Sequence, residues 1–131
     1  GMVNRSRMEE LLPLIDALNI DLKTIRADQY KKIGGDLETV LENIRIASYK
    51  SHIEITTLIV PGFNDDEEEM EELAKILYVC DSKIPLHITR FFPAGEMRTT
   101  PPTPVKTVYR MAEIARQYLK YVYRLRHSII V

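Results

Sequence analysis

An acid, an amine, a second acid, a hydroxyl and an imidazole recur within short apolar stretches of this chain. Asp21 and Lys23 lie in LNIDLK, Glu54 and Thr56 in IEITTLIV, and His87 in LHITRFF. Side chains of a strand alternate between its two faces. Asn19, Asp21 and Lys23 therefore share one face, opposite Leu18, Ile20 and Leu22. Glu54 and Thr56 likewise oppose Ile53, Ile55, Thr57 and Ile59, and His87, Thr89 and Phe91 oppose Leu86 and Ile88. A parallel strand covered by helices on both sides carries apolar residues on both faces. Polar groups on one face are costly to bury unless they meet water, a ligand or one another. A concave face lined by Asp21, Lys23, Glu54, Thr56 and His87 is the economical reading, and in barrel proteins such groups near the C-terminal strand ends serve a ligand. The alternative is an Asp21–Lys23 or Lys23–Glu54 ion pair that satisfies only itself, with a His87 that bonds a core neighbour.

The elements that must position these groups are visible as periodic patterns. Met8, Leu11, Leu12, Ile15 and Leu18 have the spacing of one helix face, and a strand follows over Leu18–Lys23. A short helix from Ala27 to Ile33 stops at Gly34-Gly35, and Asp36 caps the next, Leu37–Tyr49. The β-branched stretch Ile53–Val60 reads as a strand ended by Pro61-Gly62. Asn64 or Asp65 is expected to cap the following helix, whose first turn carries the acidic run Asp65-Asp66-Glu67-Glu68-Glu69. Acids there complement the positive end of the helix dipole, so the run reads as helix chemistry before it reads as a metal site.

A strand over Leu86–Phe92 is followed by a proline-rich connector, Ala94–Pro104. Thr103 as cap and Pro104 as first residue are expected to open a last helix with Val108, Met111, Ala112, Ala115 and Leu119 on one face. Tyr121–Leu125 reads as a final strand. Strands separated by helices pair in parallel. The expected fold class is α/β: about four parallel strands with covering helices, a partial (β/α) barrel or a small open sheet.

Composition narrows the partners. At 131 residues the chain has the size of one domain and falls short of the roughly 250 residues of a complete eight-stranded barrel. A hydrophobic content of 45% with 28% charged residues fits a globular protein, and a net charge of -1 gives no electrostatic reason to expect nucleic acid. No apolar run approaches the roughly 20 residues of a membrane helix, and the start of the chain does not resemble a signal peptide, so a cytoplasmic location and no membrane partner are expected. The one cysteine, Cys80, excludes an internal disulfide and any all-cysteine metal site built from this chain alone. The basic residues Lys120, Arg124, Arg126 and His127 read as a solvated strand and tail.

The segments IDALNIDLK, YKKIGGDLETVLENIR, HIEITTLIVPGFNDDEEEMEELAKIL, IPLHITRFFPAGEM and TPPTPVKTVYRMAEIA resemble, in order and spacing, the AmmeMemoRadiSam-type radical S-adenosylmethionine (SAM) proteins. That group is similar to the pyruvate formate-lyase activating enzymes, and the resemblance runs from about Met8 to Tyr123. It implies a partial TIM-like barrel that binds a [4Fe–4S] cluster and SAM in its lumen. The cluster there cleaves SAM to a radical that abstracts hydrogen from a substrate. It also implies contacts to SAM or to an accompanying cation for Asp21, Lys23 and His87, with Glu54 and Thr56 as further residues of the pocket face. Activating enzymes place a basic residue at the position of Thr56, where a hydroxyl can only hydrogen-bond.

The family's CxxxCxxC cluster loop and glycine-rich motif belong to its first half, and neither occurs in this sequence. The expectation is therefore a single domain, residues 1–131, equivalent to the C-terminal half of such a barrel. It would carry part of the SAM pocket, bind SAM weakly, hold no cluster ligands and be inactive alone. The alternative is a non-catalytic binding or assembly module that pairs with a partner subunit. Either reading leaves an unpaired strand edge and apolar lumen surface at Leu58, Val60 and Phe91, so a homo-oligomer or a cluster-bearing partner chain is expected.

Overall fold

In a computed structural model, which describes residues 3–125, helices and strands alternate along the chain. They are α1 (Arg5–Leu11), β1 (Ala17–Asp21), α2 (Ala27–Lys32), α3 (Leu37–Lys50), β2 (His52–Ile59), α4 (Glu67–Cys80), β3 (Leu86–Arg90), α5 (Val105–Arg116) and β4 (Val122–Leu125), with short 3-10 turns at Leu12–Leu14 and Gly95–Met97. The strands form one sheet in the order β1-β2-β3-β4, and every neighbouring pair is parallel. This is the α/β half-barrel arrangement expected from the alternation.

The register follows the hydrophobic pattern. Ile20, Ile53, Ile55, Ile59, Leu86, Ile88 and Val122 are buried on one face of the sheet. They join one core with Val40, Ile44 and Ala47 of α3, Met70, Leu73, Ala74 and Leu77 of α4, and Val108, Met111, Ala112 and Ala115 of α5. Each helix therefore spends its apolar stripe on the same side. The other sheet face carries Asn19, Asp21, Glu54, Thr56 and His87, with Leu58 and the buried Thr89 toward the C-terminal strand ends.

Several boundaries differ from the sequence pattern, each for a local reason. The first helix does not run to Leu18. It gives way to a 3-10 turn at Leu12–Leu14, where Pro13 lacks the N–H that a continuing α-helix would use. Strand β1 begins at Ala17 and its ladder ends at Asp21, although the Leu22 N–H still donates to the Thr56 carbonyl at 3.0 Å.

The cap of α4 is Asp66, whose carboxylate accepts from the Glu68 N–H at 3.2 Å, and neither Asn64 nor Asp65 serves. Asp65 instead closes the preceding turn by accepting from the Gly62 N–H at 3.0 Å. Gly62 has φ of 76°, a left-handed value that favours glycine. Thr103 also does not cap α5. Its side chain is turned inward, where the hydroxyl accepts from the Phe91 N–H at 3.2 Å and donates to the Ile59 carbonyl at 2.5 Å. The connector is thereby pinned to the ends of β2 and β3.

One further correction concerns surface. Val60 and Phe91 are buried and Leu58 is half-buried, so Val60 and Phe91 do not form the exposed apolar lumen expected of them. Of the basic residues, Lys120 and Arg124 are exposed as expected, Arg124 over the Tyr109 ring at 3.7 Å and Lys120 over Tyr121 at 5.5 Å, while Arg126 and His127 fall outside the described residues. No described helix is long and apolar enough to cross a membrane.

Candidate functional site

The sheet face away from the helices carries the polar residues in transverse rows, because parallel strands in register align like parity across the sheet. Asp21 pairs with Thr56, Thr56 with His87, and His87 with Tyr123, so four residues from four strands stand in one row. Asn19 and Glu54 form the row below. Of the residues expected at a site, Asp21, Glu54, Thr56 and His87 are therefore neighbours on one face. Lys23 stands just past the end of β1, and its Nζ lies 3.6 Å from Asp21 Oδ2.

Glu54 is the hub of the lower row. Its Oε2 lies 2.6 Å from His87 Nε2, and its Oε1 lies 3.1 Å from His52 Nε2. The hydrogen bond to His52, followed by that to His87, holds the Glu54 carboxyl below its ordinary range against the opposing effect of burial. The alternative Lys23–Glu54 ion pair is not formed: both imidazoles occupy the carboxylate, and Lys23 turns to Asp21. That Asp21–Lys23 pair is solvent-exposed on both sides, so it contributes little stability and leaves both charges available. The Thr56 hydroxyl donates to Asn19 Oδ1 at 2.9 Å. The ring of His87 stacks on Tyr123 with centroids 5.2 Å apart and planes inclined by 24°.

His52 and Tyr123 were not visible as site residues in the sequence. His52 could have been found, since it sits two positions before Glu54 on the same strand parity. Tyr123 could not, because only the β3–β4 register places it beside His87.

The wall beyond β1 is built by buried polar groups. Glu69, 4% exposed, points from the first turn of α4 into the β1–α2 loop. Its Oε1 accepts from the Thr24 hydroxyl and from the Ile25 N–H at 3.1 Å. Its Oε2 lies 3.3 Å from Arg26 Nε, close enough for charge pairing although not aligned as a hydrogen bond. Arg26 also reaches Asp66 at 2.6 Å. The acidic run is thus more than dipole chemistry: one of its members ties a loop. Tyr30, buried and with its phenol pushed up first by desolvation, accepts from the Lys23 N–H at 3.3 Å.

The donor set suits a polar, charged small molecule: carboxylates for an ammonium or a sugar hydroxyl, the Lys23 ammonium for a carboxylate, and a stacked aromatic pair for a flat ring. SAM offers each of these groups, so the residues present fit it. An iron–sulfur cluster does not fit this chain. Cys80 lies at the end of α4, and burial raises its thiol above the ordinary range, which disfavours the thiolate that ligation needs. Among the described residues no group of three His, Cys, Asp or Glu side chains is arranged to hold a metal.

No family model matches the chain. It is 40% identical over 115 residues to an uncharacterised protein of Methanocaldococcus jannaschii, covering 83% of this chain and 34% of that protein. It is 37% identical over 91 residues to a GTP 3',8-cyclase of Lactiplantibacillus plantarum, covering 66% of this chain and 26% of the enzyme. With the indoleacetate decarboxylase activating enzyme of Tractidigestivibacter scatoligenes it shares 28% identity over 81 residues, covering 60% of this chain and 26% of that one. The chain thus spans about a quarter to a third of the length of these relatives. A crystal structure of a domain of a pyruvate-formate lyase-activating enzyme from Bacteroides vulgatus superposes with a TM-score of 0.78 at 18% identity, over 94% of this chain and 75% of that domain. That likeness is one of fold. Together with the sequence relatives it establishes that this chain is related to the radical SAM proteins.

Proposed function

We propose that the open face of this sheet is the C-terminal part of a SAM pocket in a cytoplasmic radical SAM protein of the activating-enzyme type, and that the chain is not catalytic alone. The observation that carries this reading is the row Asp21–Thr56–His87–Tyr123, with Lys23 and Glu54 beside it, on the sheet face opposite the one against which the described helices pack. A face built only for solvent would not need a histidine that is hydrogen-bonded on one side and stacked on the other.

Each residue then has a role. Lys23, at the rim, meets the carboxylate of the ligand, and Asp21 meets its ammonium. Glu54 stays ionised because two imidazoles hold it, which keeps an acceptor available for a sugar hydroxyl. His87 and Tyr123 present a stacked aromatic surface to a flat base. Thr56, bonded to Asn19, contributes a hydroxyl oxygen and no charge. SAM bound there would supply radical chemistry only beside a cluster, whose ligands would come from a partner chain or from a further segment of the same protein. Strands β1 and β4 stand at the two ends of the sheet and are where such a partner would add strands.

A second reading is a binding or assembly module without chemistry, pairing through those same edges as a homo-oligomer or with a partner subunit. Calorimetric titration of the purified chain with SAM, repeated on Asp21→Ala and His87→Ala, separates the two. Saturable heat that disappears in both variants supports the pocket. Absence of heat at millimolar SAM removes it and leaves assembly.

A further inference from the structure

Lys23 is the basic group of the proposed pocket, yet it lies outside the sheet. The β1–β2 ladder ends at Asp21–Thr56, with one last strand-like bond at Leu22. The position of its ammonium therefore depends on whatever holds the next residues. Asn64 does this. It is 4% exposed and sits four positions beyond Val60, where β2 runs out. Its Nδ2 donates to the Lys23 carbonyl and to the Leu58 carbonyl, both at 2.8 Å, and its Oδ1 accepts from the Val60 N–H at 2.7 Å.

Two carbonyls on one side and an N–H on the other leave the amide one orientation. No other residue type of this size offers two donors and an acceptor there. The Lys23 N–H is taken by the Tyr30 hydroxyl, and Thr24 and Ile25 are held by Glu69. Lys23 is thus clamped from both sides by buried side chains, and Asn64 is the one that ties it directly to the end of β2.

We propose that Asn64 is a positioning residue of this site: by fixing the Lys23 carbonyl against the C-terminal end of β2, it aims the Lys23 ammonium at the ligand beside Asp21. The proposal rests on the reading of Lys23 as a ligand contact. Asn64 touches no ligand itself. An aspartate at this position keeps the shape and loses both donors, setting a carboxylate against two carbonyls.

The test is a double-mutant cycle on the purified chain, with SAM as the probe. Asn64→Asp should weaken SAM binding by about tenfold, and the same change in a Lys23→Ala background should weaken it no further. Equal losses in both backgrounds overturn the proposal, because Asn64 would then be acting on the fold as a whole. Tyr30→Phe, which removes the acceptor of the Lys23 N–H without opening a cavity, should show the same dependence on Lys23 with a smaller effect, and it serves if Asn64→Asp does not fold.

If the native chain gives no heat with SAM, the functional reading fails, and amide exchange decides the clamp separately. Asn64→Asp should then speed exchange at Lys23 and Ile25 about tenfold while leaving Ile55 and Ile88 unchanged. A uniform increase, or none, overturns the proposal.

Discussion

His87 Nε2 lies 2.6 Å from Glu54 Oε2, diagonal to the ladder pairing that places His87 opposite Thr56. A strand residue of the open face thus reaches one row down to a carboxylate already held by His52. The contact makes the charge state of the face depend on pH. Glu54 has its carboxyl lowered in the folded chain, so its contribution is present above the ordinary carboxylate range and is lost as pH falls through the lowered value. The group is partly exposed, so the effect on stability is small. Urea midpoints of the native chain and Glu54→Gln, measured from pH 7 down to pH 3, should converge as pH falls. A gap that stays constant over that range would show that the pair carries no linked proton.

Glu69 is a buried carboxylate that holds a loop through two donors. Glu69→Ala leaves the Ile25 N–H without its acceptor, takes one of two acceptors from the Thr24 hydroxyl and opens a buried void, while the exposed Arg26 keeps Asp66. Leaving a buried donor without its acceptor costs about 2 kcal/mol. Equilibrium urea unfolding should report a loss of that order, whereas Glu68→Ala, on an exposed position of the same helix turn, should stay near the native value.

Thr103 is fully buried and joins β2, β3 and the proline-rich connector through one hydroxyl. Thr103→Val keeps the volume and leaves a buried N–H and carbonyl unpaired, a loss of about 2 kcal/mol. Thr103→Ser retains both bonds and should recover most of that stability in the same unfolding measurement. Equal effects of the two substitutions would assign the position to packing instead of hydrogen bonding.

Cys80 tests the chemistry that this chain does not offer. Burial raises its thiol, so little thiolate forms at neutral pH. Alkylation by iodoacetamide at pH 8 should be slower in the folded chain than in the same chain unfolded in urea. Reaction faster than in the unfolded chain would reveal an activated thiol and reopen the question of a metal or redox role.

The sequence by itself determined the alternation of strands and helices, the parallel pairing, and which side of each strand is polar. Those features follow from period: apolar residues at alternate positions on Ile53 and Ile55, resumed at Ile59 after Thr57, and three or four apart on Val40, Ile44 and Ala47, leave one arrangement that buries both sets together. It also placed Asp21, Glu54, Thr56 and His87 on one face, because parity is a local property of a strand. Only the tertiary structure decided which of these residues meet. Register between strands set Tyr123 against His87 and brought Glu54 to His87 instead of to Lys23, and register depends on how whole helices pack. Asn64 and Glu69 show the same limit most clearly. Both lie where helix-start chemistry accounts for an acid or an amide, and both turn inward because the backbone beyond β1 has lost its ladder and its buried polar groups need partners from elsewhere in the chain.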